Sequence, residues 1–152
     1  MRLRTPLLIV TACVLSLPLG AQASERPKAE AMVKEGIAFL KANGKDAFLA
    51  EVHKGSGKFH AKPGNPLYLF VYDLNGVVLA HGAESNLLGV NRLNVKDSDG
   101  KQYIKDGIAL AQRKGGGWGD YKRMNPDTRK IEEKTSFFLA ENGIVVGCGI
   151  YK

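Results

Sequence analysis

Residues 67–82 read LYLFVYDLNGVVLAHG, and this stretch decides the fold. It reads as two strands joined by a tight turn at Asp73-Leu74-Asn75-Gly76, where Asn-Gly tolerates the backbone that a hairpin demands. On the N-terminal side, Lys54 to Asn65 is a loop with three glycines and one proline, and Pro66 follows it. A short helix is expected before it, from Asp46 to His53, with Phe48, Leu49 and Val52 on its apolar side. Further back, Ala29, Met32, Val33, Ile37 and Leu40 recur at helical spacing. Pro27 suits the first turn of that helix and Asn43-Gly44 its stop.

On the C-terminal side the chain is irregular from His81 to Lys101, then helical from Gln102 to Arg113, with Tyr103, Ile104, Ile108 and Ala111 as the apolar face. GGGWGDYKRM (115–124) and KTSFFLAENGIVVGCGIYK (134–152) supply three more strands, the last two turned at Glu141-Asn142-Gly143. The expectation is an α+β domain: a long N-terminal helix and a short second one, then a five-stranded, mainly antiparallel sheet interrupted by a helical crossover.

The first 23 residues stand outside that domain. Arg2 and Arg4 precede an apolar run from Pro6 to Leu19, and Ala21-Gln22-Ala23 has the small-x-small form of a cleavage site. The run is shorter than the ~20 residues a membrane-spanning helix needs. Residues 1–23 therefore read as a secretory signal peptide, cut after Ala23, and 24–152 as the exported domain. Val10-Thr11-Ala12-Cys13 has the look of a lipoprotein signal, but the apolar run continues past Cys13, which favours Ala23. A periplasmic or secreted location follows.

Of 152 residues, 44% are hydrophobic and 24% charged, the balance of one globular domain. Formal charge is +7 and falls to +5 once Arg2 and Arg4 leave. The basic residues are dispersed: Lys122-Arg123 and Arg129-Lys130 are interrupted by Asp127, Glu132 and Glu133. Polyanion binding is disfavoured and no nucleic-acid partner is expected. With Cys13 removed, Cys148 has no partner for a disulfide, and its apolar strand points to a buried hydrophobe. No nucleophile elbow, phosphate loop, dinucleotide fingerprint or zinc-protease motif is present, so an enzyme is not expected. Cys148 with His81 as base fails because an apolar strand disfavours a thiolate. Asp97-x-Asp99-Gly100 lacks the remaining ligands of a calcium loop and reads as a turn capping the helix that follows. No cofactor or metal is expected. His53 and His60 read as surface residues.

YLFVYDLNGVVLAHG, LLGVNRLNVKDSDGKQYIKDGI, GGGWGDYKRMNPDTRKIEEKTSFF and GIVVGCGIY, in this order and spacing, resemble the single Cache domain of the type-2 kind, from about Glu30 to Lys152. The resemblance implies a long helix packed on a PAS-like sheet. It also implies a small pocket for short organic acids such as acetate, propionate, pyruvate or lactate. It differs here in two places: His81-Gly82 replaces a histidine-proline pair, and Lys134-Thr135-Ser136-Phe137 lacks the usual tyrosine.

An anion pocket needs donors, an aromatic wall and exclusion of water. His81, Lys134, Trp118, Tyr121 and Tyr103 are of suitable types within the resembling blocks. Alternation places Val77, Leu79 and His81 on one face of their strand and Lys134, Ser136 and Phe138 on one face of theirs. Lys134 would pair with a carboxylate and His81 would donate one hydrogen bond. The alternative is a protein-interaction module of a transport or signalling system that keeps the fold without a working pocket. A membrane receptor or transporter would read the ligand state, and the helix over Ala29–Leu40 is the candidate docking or dimerising surface, although packing on the sheet explains its apolar face equally well.

Overall fold

The computed structural model describes residues 20–152, with side chains from Glu25 onward. The expected signal residues 1–19, Cys13 among them, lie outside the described residues, as do the side chains of the expected cleavage site.

Helix α1 runs Gly20–Asn43 and α2 Lys45–His53, separated by Gly44 at φ 85°, a conformation that costs glycine nothing. β1 (Leu69–Asp73) and β2 (Val78–His81) form the expected hairpin. A 3-10 turn at Ser85–Leu87 and α3 (Tyr103–Ala111) lead to β3 (Gly117–Met124), β4 (Ile131–Glu141) and β5 (Ile144–Tyr151). The sheet order is β2-β1-β5-β4-β3, and each neighbouring pair is antiparallel. The connection from β2 to β3 carries α3 across one face, from one edge of the sheet to the other. Among the described residues no helix is long and apolar enough to cross a membrane.

Strand alternation builds two cores, one on each face of the sheet. Leu69 and Val71 of β1, Phe137 of β4, and Val146, Cys148 and Ile150 of β5 meet Val33, Ile37 and Leu40 of α1 and Phe48 and Val52 of α2. On the other face Tyr68, Phe70, Tyr72, Tyr121, Phe138 and Val145 meet Tyr103, Ile104 and Ile108. The apolar stripe of α1 is thus spent on the sheet, and Lys28, Lys34, Glu35 and Lys41 stay exposed.

Three expectations are corrected. α1 begins before Pro27, which lies inside the helix, because Ala21, Gln22 and Ala23 favour helix. The β1–β2 register shifts between Val71 and Tyr72, so Val78 and His81 pair with Tyr72 and Phe70 and face one core. Leu79 packs toward the opposite core. Residues 77, 79 and 81 therefore do not share a face, since a β-bulge breaks simple alternation. Asp97 does not cap α3: its carboxylate accepts the N–H groups of Asp99, Lys101 and Lys122, tying the turn to β3.

Candidate functional site

The face under α3 holds the ionisable groups. Lys134 leaves β4 on this face and lies across the central strand β5, where Gly149 has no side chain to obstruct it. A Cβ at Gly149 would stand 2.8 Å from Lys134 Cε and also collide with Ser136 Oγ. Gly147, two residues earlier on the same face, admits the Phe70 ring in the same way, with Cζ 2.5 Å from where a Cβ would be. Gly149→Ala is expected to destabilise the protein by about 2 kcal/mol, the usual cost of overpacking a filled core. Urea unfolding would report it, and an unchanged midpoint would mean that Lys134 does not lie over this strand.

Lys134 is 1% exposed, and its ammonium donates to Tyr68 Oη at 2.8 Å. The rings of Tyr68 and Tyr151 lie 4.7 Å away and that of Phe70 5.9 Å. Among the described residues no carboxylate comes within ion-pair distance of it. Burial, reinforced by the positive Arg123, lowers its pKa to about 7.

His81 is equally enclosed, 3% exposed, with Tyr68 and Phe70 at 5.1 and 6.2 Å between ring centres. Its Nδ1 accepts the backbone N–H groups of Ala83 and Glu84 at 3.2 and 2.9 Å. Burial first, then Arg123 and Lys134, lower its pKa to about 3. The ring is therefore neutral, and with Nδ1 occupied as acceptor the proton sits on Nε2, 3.5 Å from Glu84 Oε2. Arg123 of β3 reaches the same carboxylate oxygen and also donates to Tyr103 Oη at 3.4 Å. Arg92 donates to Tyr103 Oη at 2.7 Å, and its buried Nε has no partner among the described residues. Tyr103 stacks on Tyr121 at 4.5 Å, and Tyr121 Oη pairs with Ser136 Oγ at 2.9 Å. Three cationic side chains, Lys134, Arg123 and Arg92, thus lie on this face, and among the described residues only Arg123 of the three is ion-paired there, to Glu84. The surplus is positive, which suits an anion.

The structure brings His81, Lys134, Tyr121 and Tyr103 to one face. It does not bring Trp118 there. Trp118 is three residues from Tyr121, an odd offset along a strand, so it points to the opposite face. There it packs on Phe137 at 5.5 Å under the Arg26 guanidinium at 4.6 Å. Cys148 is also on that opposite face, its Sγ 3.8 Å from Met32 Sδ, and burial pushes its thiol up to about 12. A Cys148–His81 nucleophile and base pair is excluded because the sheet separates them. Arg123, Arg92, Glu84, Tyr68, Tyr151 and Gly149 were not singled out from sequence. Even spacing from Tyr121 to Arg123, and from Phe70 back to Tyr68, was the available signal. His53 is exposed, and His60 is partly buried with its Nδ1 3.0 Å from the Ala61 carbonyl.

A groove of about 640 Å³ approaches this cluster from the end of the sheet, lined by the 61–67 loop, the Asn125–Asp127 turn, Ala83, Tyr68 and residues 149–151. It does not open directly on Lys134: Tyr68 and Tyr151 stand between.

The model of the single Cache domain 2 family matches residues 45–152. A sensor histidine kinase, MctS of Rhizobium johnstonii, is 40% identical over 86 residues, which are 55% of this chain and 18% of the kinase. The chain thus spans about a fifth of that relative's length. Three solved structures share the fold. A methyl-accepting chemotaxis protein from Vibrio parahaemolyticus has a TM-score of 0.71 at 20% identity, over 87% of this chain and 91% of the other. The periplasmic sensor domain of a chemotaxis protein gives 0.67 at 23%, over 92% and 99%. A Cache chemosensory domain described for carboxylic acid recognition gives 0.63 at 22%, over 88% and 95%. Cache domains are extracytoplasmic sensor domains of the ligand-binding kind. With the two-core PAS-like sheet and most of its length inside the family match, this chain belongs to the single Cache domain 2 family.

Proposed function

We propose that this chain is an exported sensor domain that captures the carboxylate of a small organic acid at Lys134, with no chemical turnover. The observation that carries this is the fully buried lysine that has no counter-ion among the described residues. A buried ammonium that lacks a counter-ion costs several kcal/mol, and an entering carboxylate offsets that cost. Neutral His81 donates from Nε2, while Arg123 and Arg92 supply positive potential without being the direct partner. A membrane receptor or transport system reads the occupied state, by differential affinity for the two forms. Export with cleavage after Ala23 fits Pro27: the carbonyl that a residue-27 N–H would address belongs to Ala23, so proline forfeits no bond in the cut chain.

Thermal unfolding against a panel of two- to four-carbon acids tests the reading, because a ligand of the folded state raises the midpoint with concentration. The affinity should also fall with pH. The free lysine loses its proton near pH 7, and the bound one must carry it. Binding above that pH takes up a proton, so Kd is expected to rise about tenfold per pH unit between roughly pH 8 and 9. A Kd constant from pH 6 to 9 would show that Lys134 is not the carboxylate's partner. A second reading, a partner-binding module with a closed pocket, is favoured by Tyr68 lying over the ammonium. No midpoint shift with any acid would decide for it.

A further inference from the structure

The groove reaches inward from exposed Pro63 and Pro126 to buried Leu67, Tyr68 and Ile150. Its inner wall is made in part by the two tyrosines whose rings flank the Lys134 ammonium. Those tyrosines differ. Tyr151 Oη is anchored to the backbone carbonyl of Met124 at 2.8 Å, whereas the hydrogen bond of Tyr68 Oη is to Lys134 itself. Tyr68 is therefore the barrier that an incoming anion can replace: a carboxylate oxygen takes over the hydrogen bond that the phenol accepts.

Size then bears on the ligand. A three-carbon acid has the bulk of three or four waters, about 100 Å³ at ~30 Å³ each. The groove has several times that space and an inner lining that is largely apolar, with Lys62 and Asp127 exposed at its outer part. A carboxylate at Lys134 that enters past Tyr68 leaves its carbon chain lying in the groove.

We propose that the groove holds the apolar body of the ligand, which is a monocarboxylic acid of medium chain length or with an aryl group, and that Tyr68 is the displaceable gate between groove and ammonium. This rests on Lys134 being the carboxylate site. Short acids make the head contact alone. Each methylene buried in the groove adds about fourfold in affinity, from ~0.8 kcal/mol per CH₂.

The test is calorimetric titration of the purified protein at pH 6.5 with sodium acetate, propionate, butyrate, hexanoate, octanoate and phenylacetate, and with hexanamide as an uncharged analogue. The expected result is a Kd that falls about fourfold per methylene until the groove is full. Hexanamide does not bind, and Tyr68→Phe tightens hexanoate about fivefold because no phenol competes for the ammonium. Equal Kd values for acetate and octanoate, with binding of both lost in Lys134→Met, would overturn the groove inference and leave the carboxylate site standing. Hexanamide binding as well as hexanoate would overturn it too, since the head would not be at Lys134. Failure of every acid, in protein shown to be folded, would remove both readings.

Discussion

Lys134→Met is expected to abolish carboxylate binding and, at pH 6, to raise the thermal unfolding midpoint of the unliganded protein. The two effects share one cause. The lysine stem already runs over Gly149 between Tyr68 and Tyr151, so an unbranched methionine fills nearly the same volume in an apolar setting. What is removed is a charge without a counter-ion, and replacing a buried charge by an apolar group of similar shape stabilises by roughly 1–4 kcal/mol. The gain depends on pH with a definite sign. Lysine titrates near 10.5 when unfolded and near 7 in the fold, so between those values the unfolded chain binds the extra proton. Wild-type stability therefore rises with pH from about 7 toward 10.5, and the advantage of methionine shrinks over the same range. Binding should weaken by at least ~30-fold, because a desolvated charge pair is worth about 2–5 kcal/mol. Melting curves at pH 6 and 9, with and without acid, check both parts. A variant that is less stable at pH 6 and still binds would make Lys134 a packing element.

The fold was legible because its signals are local and strong. The Asn75-Gly76 and Asn142-Gly143 turns, the 3-4 spacing from Ala29 to Leu40, and the apolar strands each point to one structure. The site was legible only as far as alternation holds. It placed Lys134, Ser136 and Phe138 on one face correctly, and it failed at β2, where a one-residue bulge reverses the pleat between Ala80 and Val78. Applied to β3, the same rule would have removed Trp118 and added Arg123. Tyr68 was hidden in another way: it precedes β1 and reads as one more aromatic in an apolar run. Its role depends on Lys134 crossing a glycine on a strand 15 residues further along the chain. Glu84 and Arg92 lie in the irregular segment after His81, where no period exists from which to infer direction. Residue types suggested the proposed anion site, but the packing of Tyr68 and Tyr151 around Lys134 is a property of strand order and of the missing side chain at Gly149.

Arg123→Ala is expected to destabilise the protein by about 2 kcal/mol at pH 7 and to raise the pKa of His81. Arg123 spans the face from β3, one edge of the sheet, to Glu84 beyond β2, the other edge, passing over Tyr103. Removing it leaves the Glu84 carboxylate without its partner. Breaking a fully buried pair costs about 3–5 kcal/mol, and Glu84 is one-third exposed, so solvent recovers part of that. The electrostatic consequence is separate. Arg123 is the largest charge holding His81 in its neutral form, second only to burial. Without it, Glu84 is free to pair with Nε2 of the imidazolium. In the wild type, His81 titrates near 6.5 unfolded and near 3 folded, so the unfolded chain takes up the extra proton between those values and stability is lost as pH falls below about 6.5. In the variant that acid loss should still begin near pH 6.5 but end at a higher pH and be smaller in total, although the variant starts from a less stable state at pH 7. Imidazole chemical shifts followed from pH 7 to 4 report the pKa directly, and denaturant midpoints over the same range report the slope. An unchanged His81 titration alongside a large loss of stability would make Arg123 a mechanical strap between the sheet edges with no electrical hold on the histidine.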